Sequence, residues 1–153
     1  MTQTAGPTVF GRPFGALSVG DEFRTEAVQV RDEDVMTFAD LTGDRHPQHV
    51  DAEWAGNSAF GERIAHGMLV LSCAFGMLPL APDYAVAALR RLTDVVFKRP
   101  VLLGDWISNH GRIVELRGAG ADLGLVTVDF RVLGSGDATV VRGGVELLWR
   151  REL

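Results

Sequence analysis

The sequence predicts an α+β fold in which an antiparallel sheet is wrapped around a long central apolar helix. The first observation is a nearly all-apolar segment, HGMLVLSCAFGML, which runs from His66 to Leu78. A helix that is apolar on almost every side is normally buried within its own domain. The second observation is that β-branched segments, separated by glycine-containing turns, follow one another beyond Pro82. Strands in such a run favour antiparallel pairing.

The N-terminal region is predicted to form an extended lead-in, one strand and one amphipathic helix. Gly11 to Gly20 is rich in glycine and proline and reads as extended chain. From Asp21 to Val30 polar and apolar residues partly alternate, which predicts a half-buried strand. Asp32 is a plausible N-cap for a helix whose apolar residues recur at helical spacing as far as Leu41. Gly43 stands where this helix would end.

The segment from Asp44 to His49 is predicted to be a constrained loop at the C-terminus of that helix. Pro47 disfavours continuation of the helix through it. A second short helical stretch is expected to begin at Asp51, with Trp54 and Ala55 as candidate buried positions.

Length and composition indicate one globular domain, residues 1–153. A chain of 153 residues has the length of one ordinary domain, and no repeat or linker divides it.

The four strand segments after the apolar helix are ALRRLTDVVFKRPV, DWISNHGRIVELRG, LGLVTVDFRVLG and ATVVRGGVELLWR.

Cysteine usage and hydropathy favour a cytoplasmic protein. Cys73 is the single cysteine, so an intrachain disulfide is impossible. Met1 to Pro7 lacks the basic and apolar regions of a signal peptide. The longest apolar stretch, Met68 to Ala81, is interrupted by Gly76 and Pro79 and is too short to span a bilayer. We therefore expect no membrane association.

The charge balance disfavours nucleic-acid binding. A net charge of −5 provides no surplus of cations to neutralise phosphates. Two local basic clusters do occur, Arg90-Arg91 and Lys98-Arg99. Each is either a solvated strand end or a contact for the phosphates of a bound small molecule.

Asp44, His49 and Gly67 are the candidate catalytic residues. Asp44 and His49 lie five positions apart across a proline, so a folded-back loop can bring both to one cavity. A carboxylate and an imidazole together supply an acid and a base near neutral pH. Gly67 stands at the predicted start of the apolar helix, where unpaired backbone amides can stabilise a developing oxyanion.

Histidines near this segment raise the alternative of a metal site. Asp44, His46 and His49 form a conceivable ligand set, but their spacing matches no familiar metal motif. We therefore predict no metal. His66 is interpreted as a capping or packing histidine in preference to a proton carrier.

The segment LTGDRHPQHVDAEWA, followed by FGERIAHGML, resembles the signature of the MaoC-like family, the (R)-specific enoyl-CoA hydratases. That signature reads approximately G-D-x-N-P-x-H-x-D, then a short helix, then I-A-H-G-M. The flanking pieces SVGDEF, FADLTG and VVFKRPVLLGDWI agree with the family as well. The resemblance extends roughly from Phe14 to the final strand.

The resemblance implies a hot-dog fold and a homodimer with its substrate tunnel between two hot-dog units. It places the catalytic acid–base pair on Asp44 and His49, and the amide that polarises the thioester carbonyl on Gly67. The implied reaction is hydration of a 2-enoyl thioester to the (R)-3-hydroxyacyl thioester, or the reverse dehydration. No metal or redox cofactor is implied, and CoA or a carrier protein serves as the handle of the acyl thioester.

Two positions depart from the family signature. His46 stands where the family has Asn, and Gln48 stands where an aliphatic residue precedes the catalytic His. The same site could therefore add an amine in place of water, with Arg45 or Arg63 as a clamp for an amino-acid carboxylate. Thioester hydrolysis is a further alternative, and a non-catalytic subunit that binds acyl thioesters is another.

Overall fold

The structure is a computed structural model that describes residues 9–79 and 85–152. Its strands are β1 (Glu22–Arg24), β2 (Val28–Gln29), β3 (Val86–Phe97), β4 (Trp106–Gly118), β5 (Leu123–Leu133) and β6 (Thr139–Arg150). They form an antiparallel sheet in the order β1-β4-β5-β6-β3, and β2 also pairs with β4. The predicted succession of four long strands after the apolar helix is confirmed.

The helices are α1 (Asp32–Thr42), α2 (Pro47–Val50), α3 (Ala52–Gly56) and α4 (Gly67–Gly76). α4 is the predicted apolar helix, although it is shorter than the apolar segment that predicted it. It packs against the sheet, where the ring of Phe75 meets that of Phe130 edge-on at 5.1 Å. Its buried residues are Leu69, Val70, Leu71 and Ala74. The expected α+β arrangement of a sheet around a central helix is therefore confirmed.

A single buried amide ties the end of α4 to the sheet. Asn109 of β4 is fully buried, and its Nδ2 donates to the Ala74 carbonyl at 2.9 Å. That carbonyl lies in the last turn of α4, where helix carbonyls lose their intrahelical partners.

The predicted strand from Asp21 to Val30 is two short strands, mostly exposed. The interruption follows Arg24, where the Thr25 hydroxyl accepts the hydrogen bond from the Asn109 amide at 2.9 Å. A side-chain oxygen thus takes the place of a backbone carbonyl in the ladder, and regular pairing stops. The expected extended lead-in contains two short 3-10 turns, Val9–Gly11 and Phe14–Ala16.

The ends of α1 follow the predicted signals with one shift. Asp32 is the first helical residue and Arg31 is the N-cap, because the Asp34 carboxylate accepts from the Arg31 amide at 2.8 Å. Gly43 ends the helix as predicted, with a φ of 80° that a side chain would disfavour.

The segment from Asp44 to His49 is only partly a loop, because α2 begins at Pro47. Proline is tolerated there since the first helical amide needs no partner. Asp51 starts α3 as expected, with its carboxylate accepting from the Trp54 amide at 2.9 Å. Ala55 is buried as predicted, but Trp54 is 46% exposed.

β3 is an edge strand of the sheet. Among the described strands, only β6 pairs with it. No residue of β3 is buried, although the strand is twelve residues long. Its large exposed apolar residues are Leu89, Leu92, Val96 and Phe97. Within residues 9–79 and 85–152, no helix is long and apolar enough to cross a membrane.

Candidate active site

A cavity of about 490 Å³ opens where the start of α4 meets the end of β3. Asp44, His49 and Gly67 all line it, so the fold brings the three predicted site residues to one wall. A cleft of similar volume, about 510 Å³, lies over β1, β4, β5 and β6 and contains none of the three. The first cavity is therefore the candidate active site.

Asp44 follows directly on the glycine that ends α1. The left-handed conformation of Gly43 turns the chain there, and the Asp44 amide donates to the Thr42 hydroxyl at 3.3 Å. The Asp44 carboxylate accepts a long hydrogen bond, 3.3 Å, from the His46 amide. The side chain is exposed to the cavity and is free to contact a ligand there.

His49 presents one ring nitrogen to the cavity with its lone pair free. Its Nδ1 donates to the Ile64 carbonyl at 2.8 Å, and a carbonyl can only accept, so the proton is on Nδ1. The neutral ring therefore carries a lone pair on Nε2. Burial lowers the pKa of His49 below its usual value, and the charge interaction with His66 adds to this, while the Ile64 carbonyl and Asp44 oppose it.

His46, which stands at the position of the signature's Asn, makes a capping hydrogen bond within the loop. It is the N-cap of α2, and its Nδ1 accepts from the Gln48 amide at 3.1 Å. Its ring also meets the Trp54 ring edge-on at 5.3 Å. The first departure from the signature therefore places a hydrogen-bonding side chain in the loop.

Gln48 is directed away from the cavity. It is 6% exposed, and its Nε2 donates to the Glu62 carbonyl at 2.9 Å. Its backbone carbonyl accepts from the Ile64 amide at 3.3 Å. The side-chain amide of the second departure thus bonds within the fold, and Gln48 does not line the cavity.

Gly67 is the first residue of α4, so its amide has no intrahelical partner. A Cβ at this position would lie 2.9 Å from two ring carbons of Phe97. The end of β3 thus packs directly on the glycine backbone, which explains why a side chain is excluded here.

His66 makes contacts at the site that the sequence did not predict. It is 2% exposed and occupies the N-cap position of α4, but its side chain makes no capping bond. Its Nε2 instead donates to the Asp44 carbonyl at 2.8 Å, and its ring stacks on His49 with 3.9 Å between centroids. The packing role is confirmed and the capping role is wrong. Its position beside Gly67 was the only sequence signal.

Asp44, His49 and His66 each offer one ligand atom within 4.8 Å of the others, so they are the group best placed for a metal. Nδ1 of His49 and Nε2 of His66 each already meet a backbone carbonyl at 2.8 Å, so each ring has one other nitrogen left for a ligand. That this site binds no metal stays a prediction from the sequence.

Arg45 and Arg63, the two candidate clamps for the carboxylate of an amino-acid nucleophile, do not line the cavity. Arg63 pairs with Asp32, and Arg45 pairs with Asp40. An amino-acid nucleophile would have to compete with these protein carboxylates, which weakens the amine-addition alternative.

The two basic clusters differ in their surroundings. Arg90 and Arg91 both pair with Glu146. Lys98 and Arg99 line the same cavity as Asp44, His49 and Gly67. The second cluster is therefore the one available to a ligand's phosphates.

A six-stranded antiparallel sheet packed on one buried apolar helix defines a hot-dog domain. Asp44 and His49, the predicted acid–base pair, lie beside the first amide of that helix. The chain belongs to the MaoC-like domain family, whose model matches residues 15–132. The resemblance drawn from the motif segments is confirmed.

Three curated relatives illustrate the similarity. The (R)-specific enoyl-CoA hydratase of Aeromonas caviae is 32% identical over 111 residues, which are 72% of this chain and 79% of the hydratase. The 3-hydroxybutyryl-CoA dehydratase of Methylorubrum extorquens is 34% identical over 58% of this chain and 55% of its own. The protein MaoC of Klebsiella aerogenes is 34% identical over 64% of this chain and 29% of its own. The matched region thus spans about half of the dehydratase and less than a third of MaoC.

Solved structures agree with the fold. A monoamine oxidase regulatory protein from Archaeoglobus has a TM-score of 0.84 at 32% identity, covering 95% of this chain and 100% of that one. The unliganded R-hydratase of Pseudomonas aeruginosa has a TM-score of 0.71 at 30% identity, covering 92% and 86%. A Mycobacterium tuberculosis protein described as a double hot-dog fold has a TM-score of 0.81 at 21% identity, covering 92% and 44%. That last likeness concerns the fold alone.

Proposed function

We propose that this protein adds water to a 2-enoyl thioester to form the (R)-3-hydroxyacyl thioester, or catalyses the reverse dehydration. The observation that carries the proposal is the shared cavity wall of Asp44, His49 and Gly67. Relatives named as enoyl-CoA hydratase and 3-hydroxyacyl dehydratase support the same reaction.

Asp44 and His49 hold one water molecule and exchange its proton. The free Nε2 of His49 can accept a proton from water, and the Asp44 carboxylate lies within reach of the same molecule. The hydroxyl group bonds to the β-carbon, and one proton is delivered to the α-carbon. The net change is addition of H and OH across the double bond, so no redox cofactor is needed.

Gly67 stabilises the charge that develops on the thioester carbonyl. As the β-carbon is attacked, electrons shift towards the carbonyl oxygen and an enolate-like charge forms. The unpaired amide at the start of α4 can donate to this oxygen, and the helix N-terminus favours the negative charge.

Lys98 and Arg99 provide a site for the handle of the substrate. They line the same cavity as the catalytic wall, and cations there would attract the phosphates of CoA or of a carrier-protein arm. We propose a phosphopantetheine thioester as the substrate class. The cytoplasmic location predicted from the sequence stays a prediction.

The test is turnover of crotonyl-CoA, followed by loss of its enoyl absorbance. Asp44→Asn and His49→Ala should each lower kcat by orders of magnitude while the proteins stay folded. Asp129→Asn is the matched control, because Asp129 is exposed on β5 outside this cavity and should leave kcat unchanged. Full activity in either site variant contradicts the assigned roles.

The alternatives give different readouts in the same assay. Release of free thiol from the thioester would indicate hydrolysis, because attack at the carbonyl carbon cleaves the C–S bond. Saturable binding without turnover of short- and medium-chain enoyl thioesters would indicate a non-catalytic subunit.

We further propose that the protein is a homodimer joined along β3. This strand is long, largely apolar and unpaired along one edge within the described sheet. Natural proteins rarely leave such an edge open, because it pairs readily with another strand. Phe97 ends β3 and lines the cavity, so a partner on this strand would lie next to the site.

A further inference from the structure

His66 belongs to neither the proposed acid–base pair nor the oxyanion site, yet it contacts both parts of that pair. Its Nε2 donates to the Asp44 carbonyl at 2.8 Å, and its ring lies 3.9 Å from the His49 ring. It is almost completely buried, and Phe38 packs on it with 5.0 Å between ring centroids. The imidazole is therefore held firmly against both catalytic residues.

Three hydrogen bonds cross between the segments 44–49 and 64–66: one joins the Ile64 amide to the Gln48 backbone carbonyl, and the other two come from histidine rings. His49 donates from the first segment to the Ile64 carbonyl, and His66 donates from the second to the Asp44 carbonyl, each at 2.8 Å. The second segment is itself anchored, because the Ala65 amide donates to the Val101 carbonyl at 2.8 Å. The crossed bonds set the distance between the catalytic segment and the start of α4.

The hydrogen bonds of His66 show which ring nitrogen holds it in place. Because a carbonyl can only accept, Nε2 is the donor to Asp44. Nδ1 is buried and has no hydrogen-bond partner among the described residues. Nε2 alone therefore ties the ring to Asp44 by a hydrogen bond.

We propose that His66 is a positioning residue, which holds the Asp44 backbone through Nε2 and keeps the His49 ring in place by stacking its own ring against it. This inference rests on the proposed hydratase function for its kinetic consequences. The groups that influence His49 in this cluster are Asp44, His46 and His66, and the cavity cations are Lys98 and Arg99.

The test separates the two contacts by substitution. His66→Phe keeps a ring for stacking and removes the donor, whereas His66→Gln keeps an N–H donor and removes the ring. We expect His66→Phe to lower kcat about 10- to 100-fold with little change in KM, as displacement of a catalytic group does. His66→Gln should recover part of that loss. His110→Gln, at a half-buried histidine of β4 outside the cavity, is the control.

The titration of His49, followed by NMR of its ring protons, does not depend on turnover. We expect its midpoint to rise in His66→Gln, because the ring that covers one face of His49 is lost and burial is the main cause of the lowered pKa. In His66→Phe, which keeps a ring there, the rise should be smaller. Variants with lower melting temperatures but a wild-type kcat and His49 midpoint would reduce His66 to a structural residue and overturn the proposal.

A measurement on the wild-type protein tests the proposal without any substitution, so no folding defect can affect its result. Nitrogen-15 NMR of the His66 ring should show a hydrogen-bonded proton on Nε2, as the bond to the Asp44 carbonyl requires. An Nε2 without a proton would overturn the proposal. If wild-type protein turns over no enoyl thioester, the hydratase function fails, whereas these NMR results still decide the role of His66.

Discussion

His49 is half-buried in the cavity wall, and its protonation state determines whether it can act as a base. Burial holds its pKa below the usual value, which is about 6.5 for histidine. In the proposed mechanism the unprotonated ring is the active form, so activity should be lost as the pH falls through this lowered pKa. We expect the acidic midpoint of kcat/KM, measured from pH 5 to 8 with crotonyl-CoA, to lie below 6.5. A midpoint above 6.5 would contradict the assignment.

The proposed oxyanion role of Gly67 can be tested by substitution, because the Phe97 ring lies too close to the glycine backbone to leave room for a side chain. In Gly67→Ala the new Cβ would lie 2.9 Å from two ring carbons, so the ring must move. We expect kcat/KM to fall about 10- to 100-fold although the amide is retained.

The double variant Gly67→Ala/Phe97→Ala shows whether the clash is the cause. With the ring removed, the effect of the alanine at position 67 should be smaller than in the wild-type background, so the two substitutions are non-additive. Additive losses would mean that the methyl group acts by another route.

At the scale of elements, a hydrogen bond from Asn109 of the sheet holds the end of α4 in position. Asn109→Ala removes the donor to the Ala74 carbonyl and leaves that carbonyl unsatisfied in the interior. We expect the free energy of unfolding to fall by about 1–3 kcal/mol, measured by urea denaturation.

The matched control for this variant is Asn57→Ala. Asn57 makes the same type of bond, from Nδ2 to the Glu53 carbonyl at 3.0 Å, but on an exposed surface. Water replaces a lost partner there, so its cost should be within about 0.5 kcal/mol. Equal costs for the two variants would show that burial of the Asn109 bond contributes nothing.

Helix boundaries were predictable where the conformational preference of a single residue type determines them. Gly43 ended α1 and Asp51 capped α3, as their residue types predict. The division of β1 from β2 was not predictable, because it depends on the Thr25 hydroxyl meeting Asn109 from a distant strand. Alternation of polar and apolar residues carries no information about such a contact.

At the scale of the whole molecule, the open edge of the sheet predicts association. We expect sedimentation velocity to show a dimer for the wild-type protein. Leu89→Asp should shift it towards monomer, because Leu89 is 48% exposed on β3 and a charge there would be buried in the interface.

Leu41→Asp is the control for this prediction, since Leu41 is 81% exposed on α1 and lies outside β3. It should remain dimeric. A wild-type monomer at micromolar concentration, or equal behaviour of the two variants, would contradict association through β3.

The α+β class, the buried helix and the set of Asp44, His49 and Gly67 were all predictable from residue order. Apolar periodicity, β-branched runs and glycine positions act over a few residues, and the catalytic motif lies in one short stretch of chain. The role of His66 was decided only by tertiary structure. Its hydrogen bond to Asp44 and its stacking on His49 join residues about twenty positions apart, and side-chain burial and proton placement there depend on how the segments pack. The proposed acid–base pair could therefore be predicted from one short motif, whereas the alignment of its side chains depends on how the segments pack.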